Sequence, residues 1–138
     1  MLSYIKTRLS TVNKYLLLGI VAAINFPSLP TLALEPAAIY AKAREFTVQI
    51  DGEETGTGTI IESNGGTYTV LTCWHVMDTP GNYQVTTNDG NTHQVTQIQN
   101  LPDVDLALVT FSTSSSYPVA ELGDSTTATS GLSAYVVG

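Results

Sequence analysis

From Phe46 onward the sequence repeats with a period of two, and this limits the fold more than any other feature. Phe46, Val48 and Ile50 alternate with Thr47 and Gln49, a pattern that gives a strand one apolar face and suits no helix. Turn-forming Gly, Asn, Asp and Pro then interrupt the chain about every ten residues. Asp51-Gly52 ends the first strand, and Gly56–Glu62 reads as a second. Asn64-Gly65 is a hairpin signal, since both residue types tolerate positive φ, and Thr67–Trp74 reads as a third strand. Tyr83–Thr87 and Thr92–Gln99 flank the turn Asn88-Asp89-Gly90-Asn91. Val104–Phe111 is nearly continuous apolar sequence and reads as a buried strand, and Ala134–Val137 as the start of one more. Ahead of them, Pro36 followed by Ala37–Glu45 predicts a helix of at most two turns. Short strands with turns between them predict an antiparallel barrel or sandwich.

Residues 1–33 have a different character. Met1–Lys14 carries three cations and no acid, Tyr15–Phe26 is an apolar run of twelve residues, and Pro27–Ala33 ends on small residues. This is the layout of a secretory signal peptide cleaved near Ala33. A bilayer-spanning helix needs about 20 apolar residues, so stable membrane insertion is not expected. The expected organisation is a signal peptide over 1–33 and a β-domain over 34–138, exported to the periplasm or the medium.

Charge narrows the partners. The 138 residues hold five Lys and Arg against twelve Asp and Glu, a formal charge of −7. All five cations lie at or before Arg44. A surface without cations cannot neutralise phosphates, which argues against nucleic acid and anionic lipid as partners. The single cysteine excludes an intramolecular disulfide and a zinc cluster built from several Cys and His. Two histidines leave little room for a histidine-rich site, so no metal is expected.

Two residues stand out. Asp105 interrupts the apolar run Val104–Phe111, and a buried carboxylate needs a partner. With no Lys or Arg beyond Arg44, the partners left are backbone N–H groups, hydroxyls or a histidine. His75 follows directly on an apolar strand. An imidazole beside such a carboxylate is the base-and-orienter pair of nucleophilic catalysis; an ordinary polar pair in a β-domain is the competing reading. Asp103 is expected at the solvated entry to the strand. Cys73, two residues before His75, is either a partner of that histidine as nucleophile or a small buried hydrophobe; the second is expected. Trp74 is expected to pack and His93 to be solvated.

The segment Leu71-Thr72-Cys73-Trp74-His75-Val76 resembles the Leu-Thr-x-x-His-Val segment that carries the catalytic histidine of trypsin-like serine endopeptidases, in their bacterial extracytoplasmic branch. Asp103-Val104-Asp105-Leu106-Ala107-Leu108 resembles that family's catalytic-aspartate strand. Gly56–Ile61 resembles the Gly-Ser-Gly-x-x-Ile strand that opens its first barrel. Leu122-Gly123-Asp124-Ser125 and Ala134–Gly138 resemble two later landmarks. The resemblance implies an all-β, antiparallel, six-stranded (partial) barrel of the chymotrypsin type with a short N-terminal helix. It implies His75 and Asp105 as catalytic residues, no cofactor, and a polypeptide substrate.

The Gly-x-Ser-Gly-Gly segment that bears the family's nucleophile does not occur in the sequence. Ser125 follows Gly123-Asp124, but Thr126-Thr127 stand where Gly-Gly would build an oxyanion hole. Ser130 before Gly131 has no supporting motif. The expectation is therefore the His/Asp half of a secreted serine endopeptidase, inactive by itself. It would be a piece of a longer protease or one half of a split enzyme, and the alternative is a secreted, non-catalytic β-barrel that binds a partner.

Overall fold

The computed structural model describes residues 35–138. The expected signal segment, 1–33, lies outside the described residues. Within them, helix α1 spans Pro36–Arg44, and six strands follow: β1 Thr47–Asp51, β2 Gly56–Asn64, β3 Thr67–Thr72, β4 Gln84–Thr86, β5 Thr92–Leu101 and β6 Leu106–Ser112. No described helix is long and apolar enough to cross a membrane. Pro36 sits in the first turn of α1, where its missing N–H costs nothing, and Lys42 and Arg44 sit in the last turn, favourably against the helix dipole. At nine residues the helix slightly exceeds the expected two turns.

Every neighbouring strand pair is antiparallel, and the order β1-β2-β3-β6-β5-β4 closes back on β1. The barrel is complete within these residues, and closure removes free sheet edges. The predicted period of two is what fills it. Val48 and Ile50 from β1, Ile60 from β2, Val70 from β3, Val85 from β4, and Ala107, Val109 and Phe111 from β6 are buried inside. The run expected to be buried throughout alternates instead: Leu106, Leu108 and Thr110 are only half-buried on the outer face. A strand has two faces, and only one of them looks into this barrel.

Three more details differ from the sequence reading. The β2–β3 hairpin turns on Gly65 and Gly66, with φ of 59° and 85°, while Asn64 pairs with Thr67 in the ladder. A side chain at Gly66 would meet the Thr113 carbonyl oxygen at 2.9 Å, whereas at Gly65 the space is open and only the positive φ favours glycine. β3 stops at Thr72, two residues short of the expected Trp74, and Trp74–Val76 form a single 3₁₀ turn. Ala134–Val137 form no strand. After β6 the chain runs back along the barrel, with Thr113 N–H donating to Gly66 and Ala120 N–H to Ile60. It then continues with Leu122, Leu132, Tyr135 and Val136 exposed. Without a neighbouring strand, a four-residue apolar segment has no ladder to join.

Candidate active site

The register of two strands makes the site. β3 and β6 are antiparallel neighbours with Thr72 opposite Ala107, so the chain leaving β3 and the chain entering β6 emerge at one end of the barrel. His75 lies three residues past Thr72, and Asp105 two residues before Ala107. Thirty positions apart in sequence, they are brought face to face by that pairing. The buried Thr72 secures the exit of β3, its hydroxyl donating to the Thr57 carbonyl at 2.9 Å.

Asp105 holds His75 at two points. Oδ2 lies 2.7 Å from His75 Nδ1, and Oδ1 accepts from the His75 backbone N–H at 3.0 Å. A carboxylate only accepts, so in the neutral ring Nδ1 carries the proton and Nε2 keeps its lone pair. Nε2 has no hydrogen-bond partner among the described residues. The bond from the imidazole, followed by the one from the backbone N–H, holds the Asp105 carboxyl below its ordinary range. It is ionised at neutral pH and suited to stabilise an imidazolium.

Asp105 is not buried in a strand, as the sequence reading had it. It sits in the turn before β6, with its side chain 58% exposed and that of His75 65% exposed. His75 sits in the 3₁₀ turn after β3 and Asp105 in the turn before β6, so neither belongs to the barrel wall. Asp103, at φ 67°, occupies the same exposed turn. Trp74 packs against the core, as expected. Cys73 is exposed, and not the small buried hydrophobe expected of it. It follows the end of β3 in extended conformation, outside the packed wall. One donor atom each from Cys73, His75 and Asp105 all lie within 4.8 Å of one another.

Ser125 opens an exposed 3₁₀ turn capped by Asp124, whose carboxylate accepts from the backbone N–H and the hydroxyl of Thr126. Neither Ser125 nor Ser130 makes a hydrogen bond to His75.

His93 is half-buried and packed, where the sequence reading expected it solvated. Its ring stacks on Phe111 with centroids 4.8 Å apart and meets Tyr117 edge-on at 5.6 Å. Its Nε2 lies 3.0 Å from the Tyr117 hydroxyl, which in turn donates to Asp89 Oδ2 at 3.2 Å. Asp89 also accepts from the Thr87 hydroxyl and from the backbone and side chain of Asn91. These bonds, that from Thr87 first, pull its pKa down to about 2. The polar look of the stretch around His93 concealed this cluster, since Tyr117 lies 24 residues further on and nothing local announces the contact.

Among models of known protein families, the one for a trypsin-like peptidase domain matches residues 56–138, more than half of the chain. No curated protein matches it.

Proposed function

The chain belongs to the trypsin-like peptidase domain family, and from that premise we propose that it is the base-bearing barrel of a secreted serine endopeptidase. In this reading His75 is the general base and then the general acid, and Asp105 orients it. The single observation that carries the proposal is the two-point grip of Asp105 on His75, which leaves Nε2 as the ring's free acceptor. A serine hydroxyl placed at Nε2 would pass its proton to the ring as Oγ attacks the scissile carbonyl. The imidazolium so formed, stabilised by Asp105, would return that proton to the leaving amine. The substrate is a polypeptide, and the reaction needs no cofactor.

The serine and the oxyanion hole are proposed to come from a second barrel seated over the exposed pair, whether it is joined to this chain or separate. Covering the pair would remove water and strengthen its electrostatics. The exposed Leu122, Leu132, Tyr135 and Val136 supply apolar surface for that seat. Export after cleavage near Ala33 is part of the same proposal and is supported by the make-up of residues 1–33.

The test is labelling with a fluorophosphonate. Residues 1–138 alone should not label. Supplied with a serine-bearing second barrel, in cis or in trans, the complex should label at that barrel's serine and lose labelling with His75→Ala. Labelling of the chain by itself that disappears with Ser125→Ala would overturn the reading.

A further inference from the structure

Cys73, the single cysteine of the sequence, is a nucleophilic side chain that this mechanism leaves unused, and its position is unusual. A free cysteine is among the most often buried side chains, yet this one is exposed beside the imidazole and carboxylate of the candidate pair. We propose that Cys73, His75 and Asp105 bind one thiophilic divalent cation, zinc above all, and that its occupancy silences the pair. The second clause rests on the catalytic reading given above. The binding site itself does not.

Three arguments support the site. The first is reach. Tetrahedral zinc holds sulfur at about 2.3 Å and nitrogen or oxygen at about 2.0–2.2 Å, which sets donors roughly 3.3–3.8 Å apart. The three donors here already lie within 4.8 Å, and all three side chains are exposed, so about an ångström of rotamer adjustment closes the set without disturbing the core. The second is charge and softness. A thiolate, a carboxylate and a neutral imidazole sum to −2 against the cation's +2, with the thiol proton released to solvent. The thiolate selects zinc over magnesium or calcium. The third is the surrounding field. Among the described residues the cations are Lys42 and Arg44 alone, against twelve acids, so a cation meets an attractive potential. Scarcity of histidine in the sequence argues only against a histidine-rich site, not against a mixed set.

Occupancy would block the chemistry whichever ring nitrogen is used. At Nδ1 the cation would replace the proton shared with Asp105, and at Nε2 it would take the lone pair that accepts the serine proton.

The experiment uses residues 1–138 with Zn²⁺ and Co²⁺ as probes. One Zn²⁺ per chain is expected by calorimetry. Co²⁺ should produce a thiolate-to-cobalt absorption in the near ultraviolet, a signature that needs no variant. Cys73→Ser, checked for folding by circular dichroism, should abolish that band and weaken zinc binding by about 100-fold or more, at or beyond the cost of losing a supporting partner of a ligand. His93→Ala should leave both unchanged. Absence of the cobalt band, or equal zinc affinity in Cys73→Ser, overturns the site. If zinc fails to bind while His75→Ala still abolishes labelling of the complemented enzyme, this inference falls and the catalytic reading stands. If zinc binds through Cys73 while His75→Ala leaves labelling intact, the site stands and the catalytic reading falls.

Discussion

The barrel holds two histidines, and their settings are opposites. His75 stands on a 3₁₀ turn off the barrel wall, exposed, bonded directly to a carboxylate and leaving one ring nitrogen without a partner. His93 lies in a strand, stacked on Phe111 and reaching its carboxylate only through the Tyr117 hydroxyl. In the first corner the polar groups outnumber the contacts that packing needs. In the second the ring is held by packing as well as by its one hydrogen bond: since the Tyr117 proton goes to Asp89, His93 Nε2–H is left to donate to the Tyr117 oxygen. Tyr117 also lies over the barrel core, and its backbone N–H donates to the Tyr68 hydroxyl. The same residue type thus stands open to solvent in one place and acts as a fastener in the other. Each ring makes one hydrogen bond through one nitrogen, and the difference is that packing covers the His93 ring and leaves the His75 ring exposed.

The largest expected effect tests this division through activity. In the complex completed by a second barrel, Asp105→Asn should lower kcat by about ten-thousandfold, since an amide can hold the ring in the wrong tautomer. His75→Ala should cost at least as much. His93→Ala, measured at a temperature where it remains folded, should leave kcat within a few-fold. Comparable losses from the two histidine variants would end the contrast.

Stability should reverse the ranking. Phe111 is fully buried and carries the His93 ring; Phe111→Ala should cost about 3–5 kcal/mol. Tyr117→Phe keeps the ring but strips partners from His93 and Asp89, at about 1–2 kcal/mol. His75→Ala, at an exposed position, should stay within about 0.5 kcal/mol. Urea unfolding of residues 1–138 measures all three. A His75→Ala loss as large as that of Tyr117→Phe would mean that the first corner is structural too.

How much of this was legible in the sequence follows from the range of the interactions. The strands were legible because alternation is local, and so was the Gly90 turn between β4 and β5. His75 and Asp105 were legible as candidates because motifs surround them, but their exposure was not. An apolar flank suggests burial for Asp105, yet the strand begins only at Leu106, and a single residue decides which side of that boundary the carboxylate falls on. The glycine pair of the β2–β3 hairpin was misplaced by one residue, because the Thr113 carbonyl that requires glycine at position 66 arrives from a distant part of the chain. The His93 cluster was illegible for the same reason. Its members come from the β4–β5 turn, β5, β6 and the segment after β6, and the pairing of β5 with β6 brings them together.

The smallest effect is one of acid sensitivity, and it separates the two carboxylates. Both are held below their ordinary range, Asp105 by the imidazole and the backbone N–H of His75, Asp89 down to about 2 by Thr87, Asn91 and Tyr117. A carboxyl whose pKa is lower in the folded than in the unfolded chain binds its proton more readily when unfolded. The stability it contributes is complete above the ordinary value of 3.8 and is lost as pH falls through the folded value. For Asp89 the loss therefore spans the range from about 4 down to about 2. Residues 1–138 should unfold more easily at each step through that range, and Asp89→Asn should flatten the dependence while lowering stability at neutral pH. Asp105→Asn should flatten it less, because the shift at Asp89 is the larger and its partners anchor the segment after β6. Melting temperatures of the three proteins between pH 2 and 5 decide the matter. If Asp105→Asn flattens the curve more, the exposed corner, and not the packed one, ties this domain's stability to pH.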